Sequence, residues 1–369
     1  MHGTRILEEA SRLMTVCNSC RYCEGLCAVF PAMEMRRSFA DGDLNYLANL
    51  CHACGACYTD CQFSPPHEYN VNVPQVLAIA RAQSYAAYAW PQALSGAFAR
   101  NALVIALTAS LSVAAFVVGF AACNDPAVLL GRHTGPGAFY RLMPHNAMAA
   151  LFGAALLYAV IALAMGLRAF WRDIGEPART LTEPTSLWQA SKDAGQLRYL
   201  DGGGVGCVNA DERPGDWRKI YHHFTFYGFA LCFAATAVAT LYHYLLAREA
   251  PYPWWDLPVL LGTLGGIGLL IGPAGLWIEK SRRDKALVDA GHAGMDRAFI
   301  AMLFLTGLSG LALLLFRETS AMGVLLALHL GFVFALFITL PYGKFVHGIY
   351  RFAALVRHAR ERSMMAGGA

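Results

Sequence analysis

Charge is scarce in this chain: 15% of its 369 residues are Asp, Glu, Lys or Arg, against 56% hydrophobic. Soluble domains carry about a quarter charged residues, so this composition excludes an ordinary water-soluble globular enzyme. The first hundred residues lack what the remainder has in excess, an apolar run long enough to cross a bilayer. Met1–Thr15 also lacks the apolar stretch of a secretory leader, because Arg5, Glu8, Glu9 and Arg12 interrupt it. The N-terminal region is therefore expected in the cytoplasm, where thiols stay reduced and metal binding outcompetes disulfide formation. A formal net charge of +4 gives no reason to expect a nucleic-acid partner.

The remainder is built of apolar stretches at about 102–122, 145–167, 221–246, 257–278, 298–316 and 321–342. Runs of roughly 20 residues at 1.5 Å each span the ~30 Å hydrocarbon core of a lipid bilayer. Of the 29 Lys and Arg, only Arg132, Arg141, Arg248 and Arg317 fall in the connections on one side. Positive charge stays on the cytoplasmic face. That rule puts residues 1–100, the loop 168–220, the loop 279–297 and a tail 351–369 inside. The expected organisation is all-α. An N-terminal α-helical, two-cluster ferredoxin-like domain (1–100) precedes a six-helix transmembrane domain (101–350), multi-pass in a bacterial inner membrane with both termini cytoplasmic.

Eight of the eleven cysteines lie in two matching runs, Cys17-x2-Cys20-x2-Cys23-x3-Cys27 and Cys51-x2-Cys54-x2-Cys57-x3-Cys61. Three thiolates at intervals of three wrap a compact turn around one iron–sulfur cube, and a more distant thiolate closes it. In two-cluster ferredoxins the fourth cysteine of each run serves the other cluster. The spacing thus predicts one [4Fe–4S] cluster on Cys17, Cys20, Cys23 and Cys61, and a second on Cys51, Cys54, Cys57 and Cys27. Structural zinc also favours C-x2-C, but as two separated pairs rather than a repeated triplet plus one. Phe39, Leu44, Leu47 and Leu50 between the runs read as helical. His52 is expected beside the ligands rather than among them, since four thiols already fill each site.

Six histidines (His145, His222, His223, His243, His329 and His347) fall in or at the ends of apolar segments, where ionisable groups are costly and usually functional. Imidazole is a haem axial ligand. On one continuous helix His329 and His347 would share a face, ~27 Å apart; His222 and His243 lie ~32 Å apart and about 60° out of line. The alternating topology sets His222 or His223 level with His347 near the cytoplasmic side, and His243 near His329 towards the other. One or two bis-histidine b haems follow, with His145 as an alternative outer ligand. Any single histidine can instead be structural, bonded to a carbonyl; the matched set at two depths favours haem. His2, His67, His133, His292 and His358 are expected at the surface.

Two glycine-rich stretches lose their nucleotide-binding reading on context. Gly265, Gly266, Gly268 and Gly272 lie in an apolar segment with no preceding strand, where glycines let helices approach closely. Gly202–Gly206 lacks the Lys-Ser/Thr of a phosphate loop and reads as a flexible or tightly turned docking element. No flavin or nicotinamide site is expected. Cys123 and Cys232 read as packing residues, and Cys207 is the unpaired thiol to watch.

The two cysteine runs, Tyr199–Cys207 (YLDGGGVGC) and Tyr221–His243 (YHHFTFYGFALCFAATAVATLYH) resemble the tricarballylate utilisation protein B (TcuB/CitB) family over nearly the whole chain. The same unit is similar to the C-terminal part of CobZ, an oxidase of cobalamin synthesis. His329 and Leu340–His347 look like the haem-bearing helix of respiratory nitrate reductase gamma subunits. The family resemblance implies two iron–sulfur clusters and b haem carrying electrons from a partner FAD-dependent dehydrogenase to the quinone pool. Tricarballylate or citrate would bind that partner. Two rival readings are a cluster-bearing redox sensor or anchor without haem, and reverse flow from quinol to a cytoplasmic acceptor.

Overall fold

The computed structural model describes residues 2–367. The chain is all-α: 72% is helical, and the described strands are two pairs of residues, β1 (Cys207–Val208) and β2 (Pro214–Gly215).

The N-terminal domain opens with α1 (Arg5–Cys20), started by the Thr4 hydroxyl on the Leu7 amide and buried along Leu7, Ala10, Leu13 and Met14, one stripe at three-to-four-residue spacing. It stops at Arg21, whose left-handed backbone lets its amide cap the Cys17 carbonyl, turning the chain into the first cysteine run. Helices α2 (Val29–Glu34) and α3 (Asp41–Leu50) fill the interval between the runs. The second run bends through Gly55 (φ 95°) into α4 (Ala56–Thr59). Helix α5 (Val73–Ala87), capped by Asn72, closes the domain over a core holding Tyr46, Leu47, Leu77 and Tyr85.

Six further helices are long and apolar enough to cross a membrane, the build of a multi-pass membrane protein. They are α6 (Asn101–Cys123), α8 (His145–Asp173), α10 (Trp217–Leu246), α11 (Leu257–Arg282), α12 (Ala293–Phe316) and α13 (Met322–Thr339). A short α7 (Pro126–Leu129) lies between α6 and α8, and α9 (Pro184–Gly195) lies in the loop 168–220. Helices α10 and α11 meet along a glycine seam. A Cβ at Gly265 would stand 2.7 Å from the Cys232 nitrogen, and one at Gly228 3.0 Å from the Gly265 carbonyl.

Two expectations change. His329 and His347 do not share a helix: α13 ends in a 3-10 turn at Leu340–Tyr342, and Gly343 is extended (φ −146°, ψ −166°). Pro341 cannot donate to the ladder, and the chain restarts as α14 (Val346–Gly367). Nor does 351–367 hang free as a tail. Ala353, Ala354, Leu355 and Val356 of α14 are buried in the core of the N-terminal domain.

Candidate metal centres

Both cysteine runs fold onto cavities. The first, about 260 Å³, is lined by Cys17, Cys20, Cys23 and Cys61, together with Cys57 and Asp60. The second, only about 20 Å³, is lined by Cys27, Cys51, Cys54 and Cys57, with His52. The first cavity thus joins three thiols of the first run to two of the second, and the second cavity joins Cys27 to three thiols of the second run. Among the described residues no three His, Cys, Asp or Glu side chains converge on one point as they would around a single ion. Burial, then the neighbouring Cys23, Cys61 and Cys20, pushes the Cys17 thiol up to about 12. Burial, then Cys207, pushes Cys54 up to about 11. Such thiols ionise at neutral pH only against a strong compensating cation, and cluster iron is one.

The second run is clasped from four directions. Arg81 of α5 donates to the carbonyls of Ala48 (3.2 Å) and Cys51. Arg351 of α14 reaches Asn49 (3.2 Å) and Cys51 (2.7 Å). Arg218 of α10 donates to His52 (3.0 Å) and Ala53 (3.1 Å), and Arg283, just past α11, also to Ala53. Burial and then Arg218 hold the Arg283 guanidinium down to about 9. Burial and then Arg81 hold Arg351 down to about 10.

From the side, the loop 199–207 lies over Cys54. Gly202, Gly203, Gly204 and Gly206 all have positive φ. A Cβ on Gly202 would meet Ala56 at 2.9 Å, and one on Gly203 would meet the Leu26 backbone at 3.1 Å. The Val208 amide donates to the Cys54 carbonyl at 2.9 Å. Cys207 is buried beside Cys54 rather than open in a polar loop. His52 is buried as well, and burial with Arg351, Arg218, Arg81 and His222 lowers its pKa well below the ordinary value.

The histidines pair differently from the expected scheme at one of the two depths. The rings of His222 and His347 lie 6.1 Å apart at 74°. Two metal–imidazole bonds of about 2 Å, plus the distance from each nitrogen to its ring centre, make a separation on the order of 6 Å. The His347 Nδ1 is bonded to the Lys344 carbonyl at 2.5 Å, leaving Nε2 for a metal, whereas the His222 Nδ1 is buried with no partner. These features fit a haem iron held between the two rings. At the far end His243 stacks on His145 with centroids 3.5 Å apart, not on His329. That contact admits no porphyrin plane between the rings, so the pair as placed does not fit a second haem. His329 is bonded to Ser309 at 3.0 Å, and His223 stacks on Tyr227. His133 and His358, expected at the surface, are buried; Cys123, expected to pack, is exposed.

Sequence reasoning missed the four arginines. Their only signal was position: Arg218 precedes His222, and Arg351 follows His347, by one helical turn on the same helix.

The structure is that of a multi-pass helical membrane protein bearing a cysteine-rich helical domain. Residues 10–87 match the Citrate utilization protein B Fer4-like domain, and residues 96–368 match Citrate utilization protein B. The Escherichia coli Citrate utilization protein B is 49% identical over 355 residues, covering 96% of this chain and 92% of that one. The chain belongs to the citrate utilization protein B family, as the sequence resemblance implied, and its role is iron–sulfur electron transfer. No solved structure matches it.

Proposed function

We propose that this protein carries electrons from a partner FAD-dependent dehydrogenase of the tricarballylate or citrate type, through two [4Fe–4S] clusters and one b haem, to membrane quinone. When bound, the clusters and the haem supply one-electron carriers. The thiols of Cys17, Cys20, Cys23 and Cys61 hold the first cluster, and those of Cys51, Cys54, Cys57 and Cys27 the second. The repeated cysteine triplet plus one further thiol, rather than two separated pairs, favours cubes over single zinc ions. His222 and His347 ligate the haem, and the Lys344 carbonyl orients His347. The Gly202–Gly206 loop packs closely on Ala56 and Leu26 beside the second site. The basic loops on the side of the N-terminal domain support a cytoplasmic position for that domain and both termini in a bacterial cell, facing the flavoprotein.

One observation carries this reading. Arg218 and Arg351 fasten the second cysteine run to the two helices that bear His222 and His347, so the cluster site and the histidine pair form one unit. The test is a dithionite-reduced minus oxidised optical spectrum of the detergent-purified protein, with iron and haem quantified. A b-type α-band with about eight non-haem irons and one haem per chain is expected. Iron without haem would move the assignment to a cluster-bearing sensor or anchor.

A further inference from the structure

Seven buried or half-buried arginines around the N-terminal domain fall into two groups that treat charge differently. Where α14 meets the N-terminal domain, Arg36 and the helix's own Arg357 and Arg360 are matched by Asp43, Glu176 and Glu361. Around the second cysteine run, Arg81, Arg218, Arg283 and Arg351 form no ion pair among the described residues; each bonds only to backbone carbonyls of residues 48–53. The acidic group within electrostatic reach, Asp296, is already engaged by Lys280 and Lys344. A neutral amide would satisfy a carbonyl. Gathering four cations in a half-buried site is unfavourable unless an anion lies among them.

We infer that Arg81, Arg218, Arg283 and Arg351 form an electrostatic collar that makes the second cysteine site the stronger electron acceptor of the two. The inference rests on the cluster assignment proposed above. A cube held by four thiolates is anionic and gains one further negative charge on reduction. Nearby positive charge therefore favours the reduced form, and net charge and burial are among the factors that set cluster potentials. The first site has no such surplus. Asp60 lines it, Arg21 bonds to the Asn18 carbonyl beside it, and both are exposed, so they nearly cancel and water screens them. One electron passing from the first site to the second thus moves towards the arginines, and towards His222 and His347 on the same two helices. The asymmetry gives the relay its inward direction without any proton or bond exchange.

The experiment is a redox titration of the detergent-purified full-length protein, with the reduced clusters followed by electron paramagnetic resonance. Arg283→Gln and Arg351→Gln are compared with Arg283→Lys, Arg351→Lys and the unaltered chain. Two one-electron steps are expected in the unaltered protein. Each Gln variant should lower the upper step by at least tenfold in reduction equilibrium, 59 mV for one electron, while the lower step stays in place and Lys restores the upper. If only the lower step moves, if both or neither move, or if Lys fails to restore, the collar is overturned and the arginines are loop fasteners. Absence of any cluster signal from the unaltered protein would instead overturn the cluster assignment itself. Two separately made positions keep the test decisive if one variant fails to accumulate.

Discussion

An imidazole serves a metal well when its second nitrogen is already committed, because that bond fixes the tautomer and aims the ring. His347 meets this condition through the Lys344 carbonyl, and burial followed by Lys344 and Arg351 holds its pKa well below the ordinary value, so the ring is neutral at physiological pH. His222 faces it at 6.1 Å, whereas His243 and His145 lie against each other and His329 is occupied by Ser309. Replacing His222 or His347 by Ala should therefore each remove the b haem, taking the haem-to-protein ratio from about one to near zero by optical spectrum. His145→Ala, His243→Ala and His329→Ala should leave that ratio unchanged. Haem retained by His222→Ala would transfer the inner ligand to another residue, His223 first among them.

At the scale of helices, α10 is placed by glycines on α11. A Cβ at Gly268 would come within 2.9 Å of the Phe224 carbonyl, and one at Gly272 within 2.5 Å of the Thr225 nitrogen; neither neighbour is a side chain that can swing away. Gly268→Ala or Gly272→Ala should cost about 1–3 kcal/mol through overpacking, read as a lowered Tm in detergent. Gly119→Ala and Gly153→Ala, with nothing within 4 Å, should be neutral or stabilising by about 1 kcal/mol as ordinary helix substitutions. This seam was legible in advance because small-residue spacing along one helix is a local pattern. The cysteine runs were legible for a similar reason, since their repeated spacing is also a pattern local to the chain. Histidine pairing was only half legible: which ring meets which depends on helix rotation and depth, and counting five turns from His329 to His347 passed over the break that Pro341 and Gly343 impose. The arginines were hidden because their partners are backbone carbonyls far along the chain, which no side-chain pattern marks.

At the scale of the whole molecule, α14 links His347 to the N-terminal domain, in whose core its Ala353, Ala354, Leu355 and Val356 are buried. Its apolar face is short, and the remainder of its contact is ionic: Glu361 accepts from Arg36 (2.6 Å), Arg357 (2.9 Å) and the Tyr46 hydroxyl (2.9 Å), while both guanidiniums lie over the Tyr46 ring. This charge-rich composition is why 351–369 reads as a tail in sequence, although Glu361 and Arg36 are nearly shut off from water, with side-chain exposures of 8% each. Such a network adds little net stability over an apolar contact, but removing one member leaves buried charge uncompensated. Glu361→Ala should then destabilise the protein by about 3–5 kcal/mol. It should also raise amide exchange along α14 and α3 well above that of the membrane helices. Because α14 also positions His347 and Arg351, the same variant should weaken haem retention although residue 361 is four turns from the ligand. A loss of stability below about 0.5 kcal/mol, the range of surface substitutions, would mean that the apolar face alone docks α14 and that the ionic network serves only to set its register.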